Sequence, residues 1–596
     1  MKKLLLATLA LTSVITFSET IHQIQGVTHT SPYNQKMVKN VRGIVTAVVK
    51  DGFYMQSRKF DRNIKTSEGI YVESKNLPNV GEYVSVNGMV YEKQFGRPSE
   101  SELTVTSIKA GDDIKVISKG NKVKAVSIDP RKVPMKVYVG KFHEKLNPKK
   151  NAMDFYESLE GMLVKVHKPL ITGADEDRGE VCVVPEYGKY VKDKTNHGGV
   201  RYTYKNEQTQ RILIKSELFK LSQGKRYEGK YIDPSFTPNP GDRFSRDIQG
   251  VLTYDKSNYK LINTSPLPKI KDGKIKRDKL NIKYDKNKLS IVSYNIENFT
   301  IADGGQKRVD VLAKQVRDDL HTPDILGLAE VGDNDGGNVT SKVVSADKVL
   351  DAIVEGIKKA TGVEYKWLSA DPEDGKDGGW PAMHIRNAIL YRTDKLELPY
   401  FKQGDSKVDT EIKEGKLTFN PGRLGNNKEF YKDVRKSLVA HLVLKDSKKD
   451  VFIVVNHLKS KRFDDKIYSK NQPVKRKSED LRIPEGKYVG QFLKEINKQK
   501  PNAIILSMGD MNDFEFSPTL KAMKTNLMVS AVESLPKNQR HTYVYQGNSQ
   551  VLDNLLVNKK YAKGMKVDIL NINSEFTISQ GYFSDHDPVY MQINVK

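Results

Sequence analysis

Residues 503–513 read AIILSMGDMND, an apolar run that stops at Asp510 and Asn512. The run predicts a buried strand, and the polar pair sits at its end. The same construction recurs along the chain. IVSYNIENF (291–299) carries Asn295 and Glu297, DILGLAEV (324–331) reaches Glu330, and VFIVVNHLKS (451–460) reaches Asn456 and His457. Ser584-Asp585-His586-Asp587-Pro588-Val589 then opens the last strand. A lone Asp or Asn after a strand is usually a turn or a cap. Five such ends in one chain exceed what turns require, and they predict carboxylates, amides and imidazoles collected at one rim of a sheet.

Around these runs, from about residue 289 onward, strands alternate with amphipathic helices. Val309, Leu312, Ala313, Val316 and Leu320 form one helical stripe; Val349, Leu350, Ile353 and Ile357 form a second; Val489, Phe492, Leu493 and Ile496 form a third. The pattern predicts an α/β layered domain over 289–596. Upstream, residues 38–117 read as short alternating strands broken by Asp51-Gly52, Gly81 and Asn87-Gly88, which predicts a small OB-like β-barrel. A looser set over 155–265 predicts a second OB-like β domain. Residues 269–288 are Lys-rich and read as a linker, either a solvated spacer or a phosphate-attracting arm.

The chain begins MKKLLLATLALTSVITFSE, which reads as a signal peptide over 1–18 and implies a secreted, extracellular protein. Cys182 is the one cysteine, so no intramolecular disulfide is available, and a buried inert thiol is expected. Lys and Arg number 99 against 74 Asp and Glu, a formal charge of +25, which points to polyanionic partners.

The strand-end residues are hard oxygen ligands without a cysteine or a histidine cluster. That set suits Mg²⁺, with Mn²⁺ or Ca²⁺ as alternatives, rather than zinc. Asn295 and Glu297 are two apart on a strand and should share a face, as should Asp510 and Asn512. His586 is the candidate water-activating base, and Asp553, costly inside the apolar run QVLDNLLVN, is its candidate orienter. His457 is a second catalytic imidazole on the opposite side of the scissile phosphate. Arg386 and Asn387, at the end of a Gly-rich loop beginning at Gly378, and Arg423, Arg435 and Lys436 are candidate phosphate contacts.

YNIENF, LAEV, NHLKS, GDMND, VLDNLLV and SDHDPV, in this order, resemble the endonuclease/exonuclease/phosphatase superfamily, which includes pancreatic-type DNases and class II abasic-site endonucleases. NPGR, VRKSLVAH, GDMNDFEFSP and TYVYQGNSQVLDNLLV are similar to the catalytic module of large secreted bacterial nucleases, which also carry OB-like domains ahead of it. The resemblance covers 289–596 and implies a four-layered α/β sandwich of the DNase I-like kind. It implies a metal held mainly by Glu330, helped by Asn295, Asp510 and Asp585. His586, oriented by Asp553, would activate or position water; His457 would assist at the non-attacked or leaving oxygen; Asn512 would position phosphate or nucleophile. Some members place Asp where Glu297 stands. The expectation is a monomeric, metal-dependent, largely sequence-nonspecific nuclease acting on DNA and also RNA, leaving 5′-phosphate and 3′-hydroxyl ends. The barrel tyrosines Tyr54, Tyr71 and Tyr83 either stack bases or fill the barrel core.

Two rivals remain. A sphingomyelinase-like phospholipid phosphodiesterase would share the catalytic core but needs an exposed apolar cluster, and no compact one stands in the sequence outside the predicted strands. A catalytically dead nucleic-acid-binding matrix protein would have lost ligand or imidazole positions, and all are filled.

Overall fold

The structure is a computed structural model that describes residues 19–96, 98–111, 114–175, 179–215, 237–302, 304–337, 340–379 and 383–595. The expected signal peptide, 1–18, and residues 380–382 of the Gly-rich loop lie outside the described residues.

The C-terminal half is built on two sheets. One runs in the order Tyr365–Ser369, Arg386–Arg392, Ile325–Val331, Lys288–Phe299, Val589–Asn594, Lys566–Ile569. The other runs Leu396–Glu397, Ser437–Leu444, Asp450–His457, Ile504–Asp510, Asp553–Asn558, Met528–Ser530, with Gly422–Leu424 pairing Ser437–Leu444. Ile504–Asp510 is buried along its whole length, which is why it reads as a continuous apolar run. Ile291, Ile325 and Ile389 of the first sheet share one core with Ile453, Leu506 and Leu555 of the second. The three predicted stripes cover the outer faces. Helices Gly305–Asp318 and Asp347–Thr361 bury Val309, Leu312, Val349 and Ile353 with Val292 and Leu328. Helix Glu479–Gln499 buries Val489 and Leu493 with Phe452 and Ile505. Each fully buried Leu, Ile or Val contributes about 1.5–3 kcal/mol, so these layers fix the rim on which the polar residues stand.

The expected first barrel is present as five strands, Met37–Val49, Gly52–Gln56, Gly69–Glu73, Val105–Ala110 and Tyr83–Lys93, the last closing onto the first. Its one parallel pair joins Gly69–Glu73 to Val105–Ala110. Tyr54 and Tyr71 are core residues, 1% exposed, so they present no stacking face. Tyr83 is covered by the Arg58 guanidinium 3.8 Å from its ring centre.

The second β region is a nine-stranded sheet spanning Val126–Ser127 to Ile270–Lys271. Its strands Leu163–Val166, Ile248–Tyr254, Tyr259–Asn263 and Ile212–Lys215 repeat the first barrel's antiparallel, antiparallel, parallel sequence of pairings. The ring returns to its start: Ile212–Lys215 pairs Glu180–Val184, which pairs Leu170–Asp175, and Leu170–Asp175 continues Leu163–Val166 after only residues 167–169, as Met37–Val49 pairs both Gly52–Gln56 and Tyr83–Lys93 in the first barrel. Arg243–Phe244 is an added strand, paired with Leu170 at Arg243. Residues 269–288 are not a free linker. Ile270–Lys271 completes the sheet, Leu280 and Ile282 bury beside Tyr294, and Arg277 donates to the Gln580 and Gly581 carbonyls.

Candidate active site

The second sheet sets the site's first row. His457 pairs in register with Asp510, and Asp510 with Asp553, so three functional side chains stand abreast on neighbouring strands. The close approach depends on Gly509, at φ +129, where a Cβ would lie 2.0 Å from the Asn456 carbonyl oxygen. The first sheet supplies Asn295, whose Nδ2 donates to Glu330 Oε1 at 3.0 Å and to Asp510 Oδ2 at 3.3 Å. That amide stitches the two sheets together at the rim.

The pairs two residues apart do not share a strand face as the alternation predicted. Glu297, Glu330 and Asn512 take φ values of +48, +63 and +48, a left-handed conformation uncommon for residues with a Cβ and costing of order 1–3 kcal/mol each. Asn295 Oδ1 accepts from the Glu297 amide at 3.0 Å, and Asp510 Oδ1 from the Asn512 amide at 2.8 Å. Both motifs are therefore side-chain-capped turns that swing the second residue aside, the first as a break in register within Lys288–Phe299 and the second at the end of Ile504–Asp510. Glu297 turns toward the last motif, accepting from the Asp585 amide at 3.1 Å and the Tyr582 hydroxyl at 3.3 Å.

His586 is buried, with Nδ1 2.7 Å from Asp553 Oδ2 and Nε2 3.8 Å from Asp510 and 4.0 Å from Asp585. Asp553 is thus the partner the sequence assigned. Tyr543 covers the imidazole at 4.7 Å between ring centres. Asp587, the other acid of the motif, is structural: it accepts from the amides of Ile572 and Asn573 and the side chain of Asn571.

The site's electrostatics follow from crowding. Burial and the carboxylates of Glu297, Glu330 and Asp510 push Asp585 up to about 8, with His586 opposing. Burial and Asp553 push Asp510 up to about 6, again against His586. Burial and Glu330 raise Glu297. Burial disfavours the His586 imidazolium, but Asp553, Asp585 and Asp510 outweigh it and hold His586 well above its ordinary value. His457 goes the other way: burial, Arg435 and His586 hold it well below, so it is neutral at pH 7. Its Nε2 lies 3.7 Å from Glu330 and 3.6 Å from Asp510, and its Nδ1 has no partner among the described residues.

Glu330, Asp510 and His457 bring one ligand atom each within 4.8 Å of one another. Carboxylates this close without charge compensation raise each other's proton affinity, and a divalent cation relieves that repulsion. The oxygen-rich donor set fits a hard cation.

Of the sequence candidates, Asn295, Glu330, His457, Asp510, Asn512, Asp553, Asp585 and His586 come together. Arg435 adjoins them: it donates to the Leu458 carbonyl at 2.9 Å and its charge acts on Glu330 and Asp510. The remaining phosphate candidates are engaged elsewhere. Arg386 pairs with Asp371 at 2.5 Å, Arg423 with Asp377, Lys436 with Asp377 at 3.1 Å, and Asn387 donates to the Lys436 and Val455 carbonyls. Tyr543 and the roles of Glu297 and Tyr582 were not read from the sequence; the aromatic run TYVYQ carried the only signal.

A cleft of about 280 Å³ leads to Glu297 and Asp585, walled by Tyr545 and Phe576 and, from the middle sheet, by Asp175 and Pro240. The middle sheet also grips the hairpin Tyr543–Tyr545/Asn548–Gln550. Arg211 donates to the Gln546 carbonyl at 2.6 Å, Gly547 lies against Cys182, and Arg201 pairs with Glu515 at 2.7 Å. His197 and His541 share the buried Glu575 carboxylate at 2.5 and 2.9 Å across the same seam.

Fold and site together define a two-sheet α/β protein with a carboxylate–imidazole cluster at one rim. Among solved structures, the chain is similar to humanized D. rerio TDP2, at 18% identity over 52% of this chain and 99% of that one, TM-score 0.33. It is similar to the human Nocturnin catalytic domain at 16% identity over 53% and 97%, TM-score 0.33. It is also similar to an endonuclease/exonuclease/phosphatase family protein from Bacteroides thetaiotaomicron at 19% identity over 51% and 94%, TM-score 0.32. A family model described as a domain of unknown function (DUF8508) matches residues 119–272, the span of the middle sheet. No curated protein matches the sequence.

Proposed function

We propose that the protein is a secreted, divalent-metal-dependent nuclease that hydrolyses phosphodiester bonds of DNA, and of RNA, with little sequence preference. The carrying observation is the Asp553–His586 pair set beside the in-register row His457, Asp510, Asp553, facing the crowded carboxylates. Glu330 would hold the cation, with Asn295, Asp510 and Asp585. When bound, that cation supplies charge for the phosphoryl oxygens and the departing oxyanion.

The protein's own groups divide the rest. In its neutral form, His586 takes a proton from water at Nε2, while Asp553 fixes the tautomer through Nδ1 and stabilises the resulting imidazolium. Neutral His457 offers a hydrogen bond to a phosphoryl oxygen without adding charge. Asn512, held by the Leu458 carbonyl and Asp510, presents its amide at the same rim. The two-sheet frame with helices outside both supports reading it as a four-layered DNase I-like sandwich. The N-terminal barrel acts as an OB-like module, and the charge of +25 favours nucleic acid as the polyanion.

The test is cleavage of supercoiled plasmid and single-stranded RNA with Mg²⁺, Mn²⁺, Ca²⁺ or EDTA, beside His586→Ala. Metal-dependent nicking lost in the variant is expected. Failure to cut either polymer with any metal overturns the reading and turns attention to sphingomyelin.

A further inference from the structure

The loop after Asn512 builds an aromatic file that no strand pattern foretold. Phe514 and Phe516 stack at 5.2 Å with 16° between planes. Tyr202 of the middle sheet domain packs on Phe514 at 5.0 Å, and Tyr204 meets Phe516 edge-on at 6.2 Å. The inner pair is cement between domains: Tyr202 and Phe514 are buried with Leu552. The outer pair is not. Tyr204 is 77% exposed and Phe516 36% exposed, and Phe463 on the neighbouring loop is 69% exposed. Cations border the file. Lys461 stands 4.3 Å from the Phe514 ring centre, the Arg462 guanidinium 5.7 Å from that of Phe463, and Arg476 reaches the Tyr202 hydroxyl at 3.4 Å.

Exposed large aromatics are costly to leave in water and mark interaction sites when grouped. Rings interleaved with Lys and Arg, at the end of a loop that begins at Asn512, match the recognition chemistry of unpaired bases on a charged backbone. A base offers a π-face to Tyr204 and Phe516, while the exposed Arg462 meets the phosphates; Lys461 is held by Asp513 at 2.8 Å and serves to fix the Phe514 ring. A paired duplex hides those faces inside its stack.

We propose that Tyr204 and Phe516, with Phe463 and Arg462, form a shelf that binds single-stranded nucleic acid beside the active site, so that the middle domain selects unpaired substrate. The proposal deepens the nuclease reading and rests on it for biological meaning, yet its test needs no cleavage. Fluorescent 12-nucleotide DNA is titrated by anisotropy, in EDTA, as a single strand, as a duplex and as an abasic strand with the same phosphates. Base–aromatic stacking is worth about 1–3 kcal/mol per base, so the single strand should bind at least about tenfold more tightly than the abasic one. Tyr204→Leu with Phe516→Leu keeps apolar bulk, removes the π-faces and should collapse that ratio toward one. Equal binding of single and abasic strands, no binding of either, or an unaltered ratio in the double variant overturns the proposal. So does loss of binding to anionic phosphatidylglycerol vesicles with oligonucleotide binding intact, which would assign the shelf to a membrane surface. Base-dependent binding without cleavage would instead sink the nuclease reading and leave the shelf standing.

Discussion

Loading the carboxylate rim with a divalent cation should expel a proton. At pH 7 a carboxyl group raised toward 8, as in Asp585, holds much of its proton, although water reaching its half-exposed side chain lessens the rise, and one at about 6, as in Asp510, holds roughly 10%. A cation needs both ionised, so binding at pH 7 should release up to about one proton, most of it from Asp585. Titration calorimetry with Mg²⁺ or Mn²⁺ in buffers of different ionisation enthalpy reads that number from the slope of observed heat against buffer heat. The slope should approach zero near pH 9.5, and Asp585→Asn should remove most of it at pH 7. A cation that binds at pH 7 with no slope would refute the reasoning, because the acids would then be ionised without it. The same groups set a stability trend. A carboxyl raised in the folded chain holds a proton the unfolded chain has lost, so between about pH 4 and pH 8 the contribution of Asp510 and Asp585 falls as pH rises, against the opposite slope of His457. In EDTA the melting temperature of Asp585→Asn should gain on that of the parent across that window, and saturating cation should flatten the parent's part of the difference.

Asp553→Asn leaves His586 without its orienting carboxylate and should cut the cleavage rate by about 10²–10⁴-fold with little change in melting temperature; plasmid-nicking kinetics decide it. Gly547→Ala places a Cβ 2.4 Å from that of Cys182 at φ +71, so it should loosen the hairpin that carries Tyr543, costing about 1–3 kcal/mol and lowering kcat, both measurable on the purified variant. Burial pushes the Cys182 thiol up to about 12, so a disulfide reagent should label it only after urea unfolding, and rapid labelling of native protein would contradict its placement.

The rim was legible because strand ends are local: an apolar run stopping at Asp510 or His457 says where a polar group must surface. Asp553 was legible for the opposite reason, an acid inside an apolar strand that burial penalises unless it has a partner. What escaped depends on distant company. Arg386 and Arg423 read as phosphate contacts, but Asp371 and Asp377, in the connection that leads into Arg386, reach them first. The second set of strands read as OB-like from its spacing, but which strands the stretch 163–175 joins, and the added strand Arg243–Phe244 more than 70 residues along the chain from Leu170, are set only by the fold. Residues 269–288 read as solvated because Lys outnumbers everything else there, while two alternating side chains, Leu280 and Ile282, suffice to dock the segment. The aromatic file escaped for the same reason, since Tyr204 and Phe516 are some 300 residues apart in sequence.

The grip of the middle sheet on the hairpin before His586 makes the two halves of the chain unequal in what they tolerate. Tyr543 is held from behind by another fold unit, whose Cys182 packs on Gly547, whose Arg211 donates to the Gln546 carbonyl and whose Arg201 bridges Ser549. A blow to the middle sheet, by heat or a protease nick, would therefore loosen the cover of the imidazole while the two-sheet core, packed on its own residues, still stood.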